Sequence, residues 1–431
     1  MTSVNQDPTP TPPSEADIIT TPDASADLLA NSFGDYVGIV GRRLRSGESG
    51  ALPVIVGLIV IVIIFQVKNS LFLSAGNLVN LMAQSAFIIT LGMAQIFVLL
   101  LGDIDLAAGY TAACGAVIAL WMLALGDPWW AAVLVALAAT AAYGALQGII
   151  TAKLGLPSFV VTLAGQLGLS GVLLYLINAT GSIGVGGVIN LHNSIVNDIE
   201  NGDLSPTATW IVMIAIAVVA GLFILYGDYR RRSAGLVAPP LSVTLLKGAG
   251  ILVAAIVVAW VANINRGRLI VLEGMPWSVI VVLAILFLWT VVIGRTRFGR
   301  YVYAIGGNAE AARRAGISIV RIRTVAFTLC GLTAGMTGII YASYLGSIST
   351  GVDGGQNVLN AIAAAVIGGT SLFGGRGKML HAVIGGLVVG VIYNGLELLG
   401  LSAAAQLMWT ALVLLAAVIV DRVTRRGAIA R

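Results

Sequence analysis

The chain of 431 residues is 58% hydrophobic and only 10% charged, with a formal net charge of +5. A soluble chain of this length does not tolerate a mean hydropathy of +0.97, so the composition excludes a soluble enzyme or a soluble binding module. In lipid, the backbone polar groups must be satisfied within helices or a closed barrel. The apolar runs are about 17 to 24 residues long without period-two alternation, which predicts an all-α polytopic membrane protein of about 10 to 12 transmembrane helices.

The N-terminal segment, residues 1–40, is rich in Pro, Thr, Ser and Asp and has no Lys or Arg. This composition predicts a disordered cytoplasmic tail. It does not fit a signal peptide, because it lacks a basic start and the first apolar run begins only near Ala51.

Twelve candidate spans follow in chain order and form one predicted transmembrane domain, residues 51–421. The spans are 51–67, 82–101, 106–125, 129–151, 157–178, 208–226, 243–263, 277–293, 324–346, 356–372, 381–399 and 404–420. The segment 356–372 is short and contains Gly and Asn, so it is either a full span or a broken or re-entrant helix.

Small residues indicate where these helices pack closely. Glycines four residues apart let two backbones approach each other in lipid, where the hydrophobic effect does not drive helix association. They occur in Gly144–Gly148, Gly331–Gly335 and Gly386–Gly390. Cys114 and Cys330 both lie in apolar helices, so we expect them to pack as small hydrophobic side chains rather than to form a disulfide or a metal site.

Orientation follows from the basic residues, because Lys and Arg near span ends stay on the cytoplasmic side. With twelve spans, all the basic clusters fall on one face, which predicts that both termini are cytoplasmic. The clusters are Arg42, Arg43 and Arg45; Lys153; Arg230 to Arg232; Arg295 to Arg323; Arg376 and Lys378; and Arg422, Arg425 and Arg426.

The opposite face carries few basic residues. The longest outer loop, residues 179–207, has no Lys or Arg, as expected of an externally exposed loop, and contains the carboxylates Asp198, Glu200 and Asp203. The sparse exceptions flank spans and are Lys68, Arg266 and Arg268.

No catalytic or energy-converting motif is visible. The nearest approach to a phosphate-binding loop, Gly374–Lys378, has Leu372 where glycine is needed and Met379 where Ser or Thr must reach magnesium. His192 and His381 lie far apart without metal-ligand spacing, so we expect no metal site and no catalytic residue. If nucleotide energy drives this protein, another chain supplies it.

The most informative polar segment is residues 294–323. Part of it carries the signals of a short helix: an N-cap, negative charge in the first turn, positive charge near the last and a glycine that can end it. These residues are Asn308, Glu310, Arg313, Arg314 and Gly316. Two turns of helix are not stable alone in water, so the segment needs a partner surface. It is either a protein-docking helix or a solvated helix that only obeys the positive-inside rule.

This segment resembles the coupling loop of permease subunits from bacterial ATP-binding cassette (ABC) importers of monosaccharides, the ribose/xylose-type family. The family element E-A-A-x-x-x-G matches Glu310–Gly316. Three further stretches agree in the expected order, and the resemblance covers roughly residues 70–425. They are Gly102–Gly109 (family pattern G-x-I-D-L-S-V-G, with Ala107 and Ala108 replacing Ser and Val), Leu156–Leu163 (L-P-x-F-I-V-T-L) and Ile362–Gly375 (A-A-V-I-G-G-T-S-x-x-G-G).

The resemblance implies a type II ABC-importer-like permease in the cytoplasmic (inner) cell membrane that works by alternating access. Its implied partners are ABC ATPase subunits, an extracytoplasmic sugar-binding protein and a second permease copy, with no nucleic acid and no cofactor bound by this chain. The residues implied to couple to the ATPase are Gly307, Asn308, Glu310, Ala311, Ala312, Arg313 and Gly316. An additional loop and span, residues 227–270, lengthen the chain as in the xylose-type branch, which favours xylose or a related pentose.

Charged and polar side chains inside the spans are candidates for a translocation pathway, because a charge at mid-bilayer costs about 2.5 to 3.5 kcal/mol. Asp103 and Asp105 lie at a span break beside glycines, where each either caps the next helix or contacts a sugar. Glu397 lies near the outer end of its helix, where it can reach water. Other residues that could bond sugar hydroxyls, or equally join helices, are Gln84, Asn357, Asn360 and Asn394.

Two alternatives are compatible with the same composition. An ion-coupled secondary transporter would work without partners, but the chain has few interior carboxylates, no visible intramembrane Lys or Arg partner for them and no clear inverted repeat. A scaffold or an enzyme acting in the bilayer lacks a catalytic motif. The resemblance therefore favours the permease subunit of an ATP-driven sugar importer.

Overall fold

The computed structural model describes residues 52–179, 185–236, 238–267, 271–402 and 404–412, with the single residues 38 and 415. The predicted tail, apart from residue 38, lies outside the described residues. So do the basic clusters at Arg42–Arg45 and Arg422–Arg426.

Helices make up almost all of the regular structure, as lipid requires. They are α1 Leu52–Lys68, α2 Ala75–Leu99, α3 Ala108–Ala124, α4 Trp129–Leu154, α5 Ser158–Ala179, α6 Ser194–Asn201, α7 Pro206–Ser233, α8 Leu241–Ala262, α9 Trp277–Arg295, α10 Arg297–Gly307, α11 Ala309–Arg314, α12 Ile319–Leu345, α13 Gly354–Ile367 and α14 Met379–Leu398. Residues 404–412 are also helical. Strand β1, Val188–Asn190, follows a 3-10 turn and pairs antiparallel with β2, Ser347–Ser349.

The number of membrane-length helices agrees with the composition. Among the described residues, eight helices are long and apolar enough to cross a membrane: α2, α4, α5, α7, α8, α9, α12 and α14. Helices α1, α3 and α13 are apolar but shorter. Together these match the first eleven predicted spans in order, and the twelfth is helical at 404–412 before it leaves the described residues. The predicted all-α polytopic fold is confirmed.

Helix α13 is too short to cross the bilayer alone, because its 14 residues reach only about 21 Å at 1.5 Å per residue, less than the roughly 30 Å hydrocarbon core. It begins beside the start of α3, which has 17 residues. Their N-terminal ends meet at Gly109 and Gly354, where a Cβ on Gly109 would collide with the Gly354 carbonyl oxygen. The predicted span 356–372 is thus a short helix that begins inside the bundle.

Close backbone contact joins α4 to α12. A Cβ on Gly144 would collide with the Phe327 carbonyl oxygen, and one on Gly331 would collide with the Thr140 carbonyl oxygen. The prediction that these glycines mark packing faces is confirmed. Helix α2 is the most buried of the long helices and contacts α9, α12, α13 and α14.

The chain divides into two compact units. One contains residues 210–258, where the Thr244 hydroxyl on α8 donates a hydrogen bond to the Asp228 carboxylate on α7 (2.7 Å). The other contains the described residues of 50–209 and 259–421 and holds the sites discussed below.

In this second unit, loops gather at the two ends of the helices. At one end, called the junction end, lie residues 100–107, 296–318 and 368–378. At the other, called the strand end, lie the β1–β2 pair and α6.

Candidate functional site

Helix α11 is the short helix that the sequence predicts, and its capping is confirmed. The Asn308 side chain accepts a hydrogen bond from the Ala311 N–H (2.9 Å). Glu310 in the first turn forms ion pairs with Arg313 and Arg314, each at 3.2 Å. Local side chains therefore set the start of the helix and its charge distribution.

Helix α11 turns one side to the bundle and its charges to water. Ala312 is 4% exposed and belongs to the core at the junction end. Gly316 ends the segment with a left-handed φ of +80°, and Ile317 packs back against the same core. The charged side chains of the helix are more than half exposed. This charged face, fixed by an apolar contact, is the kind of surface that a partner protein can cover.

Helix α10 immediately precedes α11 and packs against the bundle. Directly beneath α10 lies the segment between α2 and α3, residues 100–107, here called the break. The Gly375 N–H donates to the Leu100 carbonyl oxygen (2.9 Å). Leu100 and Gly375 both lie against Gly306 of α10, where a Cβ would collide with the Leu100 carbonyl oxygen. Backbone is packed directly on backbone here, and the contact region of α10, the break and the loop before α14 is called the joint.

The first carboxylate of the break is paired. Arg323 Nε on α12 lies 2.7 Å from Asp103 Oδ2, and the Asp103 side chain is 7% exposed. The expectation that intramembrane carboxylates lack a Lys or Arg partner is wrong for Asp103. The reason is that α12 begins at Ile319 rather than at residue 324, so Arg323 belongs to a helix and not to a loop.

Other elements hold the next residues of the break. Ser158 Oγ on α5 accepts a hydrogen bond from the Ile104 N–H (3.2 Å), and Thr162 Oγ1 donates to the Ile104 carbonyl oxygen (3.1 Å). Asp105 is 1% exposed, and its Oδ1 accepts from the Ala107 N–H (2.9 Å) at the start of α3. Capping, one of the two roles expected of Asp105, is therefore observed, and sugar contact stays a prediction.

Three of the four motifs that carry the family resemblance meet at the break, and the fourth is connected to it through α10. Gly102–Gly109 contains it, Leu156–Leu163 supplies the two hydroxyls of α5, and Glu310–Gly316 is fixed to it through α10. Ile362–Gly375 ends in the N–H that bonds Leu100. These stretches are far apart in the sequence, so only folding brings them together.

Two of the candidate pathway residues bond to each other between α2 and α14. Asn394 Nδ2 donates to Gln84 Oε1 (3.1 Å), and Gln84 Nε2 donates to the Glu397 carboxylate (2.7 Å). Asn77 Nδ2 donates to Asn394 Oδ1 (2.8 Å). This series of polar groups joins the two helices, which is one of the two roles expected from the sequence.

The two asparagines of α13 have different surroundings. Asn360 Nδ2 donates to the Tyr393 hydroxyl (3.1 Å). Asn357 instead lines a small internal cavity together with Phe87 and Tyr341, whose ring centroids are 4.7 Å apart. The cavity lies where α3 and α13 begin. Asn357 therefore borders a cavity of about 10 Å³, which has room for about one water molecule.

At the strand end, α6 carries a buried carboxyl group. Glu200 is 6% exposed, and its N–H donates to Ser343 Oγ on α12 (3.0 Å). Burial raises the pKa of the Glu200 carboxyl to about 8, and the nearby Ser278 hydroxyl of α9 opposes the shift. The expectation that Glu200 lies in an exposed loop is wrong, because residues 194–201 fold as a helix against the bundle.

Arg266, one exception to the positive-inside pattern, is neutralised by a nearby carboxylate. Arg266 is 5% exposed, and its Nη2 lies 2.8 Å from Asp203 Oδ2. Its Nη1 donates to the carbonyl oxygens of Ala262 (2.6 Å) and Gly274 (2.8 Å). A buried, paired guanidinium does not act as a free positive charge, which explains why Arg266 departs from the pattern.

Sequence reasoning missed α10 and the residues that fix it. The Tyr303 hydroxyl donates to the Gly377 carbonyl oxygen (2.7 Å) across the joint. The available signal was the apolar spacing of Phe298, Val302 and Ile305, which places all three on one side of a helix and in the core at the junction end.

Within the described residues, no group of three or more His, Cys, Asp or Glu side chains could hold a metal ion.

A bundle of membrane-length helices with a short charged helix at one end defines a polytopic membrane protein. The chain belongs to the family described as the permease component of branched-chain amino acid transport systems, which it matches over residues 77–420.

Relatives in this family are similar along most of their length. The xylose transport system permease protein of Haemophilus influenzae is 34% identical, covering 88% of this chain and 98% of the relative. That of Escherichia coli K12 is 33% identical, covering 93% and 97%. The ribose import permease protein of Escherichia coli K12 is 30% identical, covering 85% and 92%. The resemblance to ribose/xylose-type ABC permeases is thus confirmed. No solved structure matches the chain significantly.

Proposed function

We propose that the chain is the permease subunit of an ABC importer that carries a simple sugar, xylose or a related pentose, across the inner membrane. The observation that carries the proposal is α11, a charged exposed helix fixed through α10 to the break inside the bundle. The sugar is supported by the relatives, which are named for xylose and ribose transport although the family description names amino acids. Helix α8 supplies the additional span of the segment 227–270, as the xylose-type branch implies.

In this proposal, an ABC ATPase subunit docks on α11. Its closure on ATP pushes α11 and α10, and the joint passes the movement to the helices that α10 contacts. The coupling residues are Gly307, Asn308, Glu310, Ala311, Ala312, Arg313 and Gly316. Nucleotide and magnesium bind to the ATPase, so this chain needs no cofactor of its own.

The proposed positions of the other partners depend on which end of the helices faces the cytoplasm. The junction end faces the cytoplasm, with both termini on that side, and an extracytoplasmic sugar-binding protein docks at the strand end. Two permease copies enclose the path. Asn357, beside Phe87 and Tyr341, is the candidate contact for a sugar in transit once the cavity widens, because an aromatic face with an amide beside it suits a sugar ring.

The test is ATP hydrolysis by the chain in lipid nanodiscs, assembled with its neighbouring ATPase. Hydrolysis is measured with and without the cognate binding protein, loaded in turn with pentoses, hexoses and branched-chain amino acids. We expect stimulation by a loaded pentose and ATP-dependent uptake of the same sugar into liposomes.

Two outcomes would overturn the proposal in different ways. Stimulation by a branched-chain amino acid would change the substrate and leave the importer class intact. Failure to assemble with the ATPase, together with ion-driven flux by the chain alone, would replace the importer with a secondary transporter.

A further inference from the structure

The break occupies the position from which movement of α11 can enter the bundle. We propose that the buried ion pair between Asp103 and Arg323 transmits ATPase-driven movement from the coupling helix to the start of α3. The inference rests on the proposed function, because it assigns the route by which the ATPase would reach the translocation path.

One side of the ion pair is tied to α11. Helix α12 begins at Ile319, three residues after Gly316, and Arg323 lies in its second turn. Ile317 and Ile319 pack into the same core as Ala312 of α11. A shift of α11 therefore shifts the start of α12, and the guanidinium of Arg323 with it.

The other side of the ion pair is tied to the inside of the bundle. Asp103 lies in the break, two residues before Asp105, which caps the start of α3. The first turn of α3 contains Gly109, which contacts the start of α13 and borders the cavity that Asn357 lines. A displacement of Asp103 therefore moves the two short helices whose ends enclose that cavity.

The ion pair is suited to hold these two sides together. Its carboxylate is 7% exposed and its guanidinium 26% exposed, so separating them leaves a charge with little solvent. Such a pair stays closed or opens as one discrete step, which is the property that a transmitting contact needs. Ile104, the next residue, is held at both backbone groups by α5, which gives the break a fixed point about which to turn.

The test compares uptake per ATP hydrolysed in the complete complex of permease, ATPase and binding protein. Removing one charge leaves the other unpaired and can prevent folding, so the decisive variant is the neutral pair Asp103→Asn/Arg323→Gln. We expect the complex to assemble and uptake per ATP to fall by about fivefold or more, the lower end of typical coupling between sites.

Two further variants separate charge from packing. Arg323→Lys keeps the positive charge, and we expect uptake per ATP within about twofold of the wild type. Asp23→Asn makes the same change as Asp103→Asn in the N-terminal segment, residues 1–40, and we expect no effect.

Each outcome decides the matter. A neutral pair that assembles and couples as the wild type does would overturn the inference. So would an Arg323→Lys variant as impaired as the neutral pair, which would assign the effect to packing. A neutral pair that fails to assemble would make the ion pair a folding requirement rather than a transmitting contact. If the wild type itself shows no ATP-dependent uptake, the proposed function fails and this inference fails with it.

Discussion

At the scale of single residues, charges in this bundle are held by specific neighbours. Asp103 has a guanidinium at 2.7 Å, and Asp105 caps α3 through a backbone N–H. Arg266 has both a carboxylate and two carbonyl oxygens. A charge costs several kcal/mol in a low-dielectric environment unless it is paired, so each of these residues is restricted to one arrangement.

Glu200 gives a prediction for the dependence of stability on pH. Its folded-state pKa of about 8 lies above the ordinary value of 4.5, so the folded protein holds a proton that the unfolded chain releases. Its contribution is fully present below pH 4.5 and is lost as pH rises towards 8. In that window, the stability falls by up to about 1.4 kcal/mol per pH unit.

The measurement is the melting temperature of the wild type and of Glu200→Gln in nanodiscs from pH 5 to 9. Glutamine does not titrate, so we expect the variant to lose less stability than the wild type as pH rises through about 8. Parallel curves for the two proteins would show that Glu200 is not protonated in the folded state.

At the scale of elements, neighbouring side chains define where α11 begins, and packing against the bundle stabilises it. Asn308 and the Glu310 ion pairs define the helix from adjacent residues alone. A helix of six residues is nevertheless too short to persist in water without support. That support comes from Ala312 in the core at the junction end and from α10 beneath it.

Changing the charge on α11 should uncouple ATP hydrolysis from transport. Glu310→Lys replaces a first-turn carboxylate by a cation beside two arginines, while the membrane helices remain unaffected because Glu310 is exposed. We expect uptake per ATP hydrolysed to fall by about fivefold or more. The measurement is sugar uptake and phosphate release in the same liposomes.

The matched control for this variant is Glu15→Lys, which makes the same substitution in the N-terminal segment, residues 1–40. We expect it to transport as the wild type does. Unchanged uptake per ATP in Glu310→Lys would remove α11 from the coupling route.

At the scale of the whole molecule, the alternation of helices in the second unit places three of the predicted basic clusters, those at Lys153, Arg295 to Arg323 and Arg376 to Lys378, at the same end as the break. Lys153 lies in the last turn of α4, and α5 begins three residues after Gly155 with the hydroxyls that bond the break. The segment 296–318 lies at the same end. This common side supports the proposed cytoplasmic location of the junction end.

Cysteine labelling tests that orientation. The native Cys114 and Cys330 are both buried, so added cysteines will dominate the reaction with a membrane-impermeant maleimide. We expect Asp127→Cys to react in intact cells and Lys153→Cys to react only after the membrane is opened. The reverse labelling pattern would show the opposite orientation in the membrane, with both termini outside the cell.

The sequence by itself determined the helical class, the order of the spans, the glycine contact faces and the capping of α11. Each of these depends on a local property: apolar length, residue size, or a side chain within a few residues of the backbone it caps. The family followed from motifs that can be read one at a time.

Only the tertiary structure decided how those motifs meet. The pairing of Asp103 with Arg323 and the burial of Glu200 depend on contacts between residues far apart in the chain. So do the cavity at Asn357 and the packing of α10 on the break. The residues next to a side chain in the sequence do not indicate which residue of another span it contacts. That contact is determined by how the helices pack.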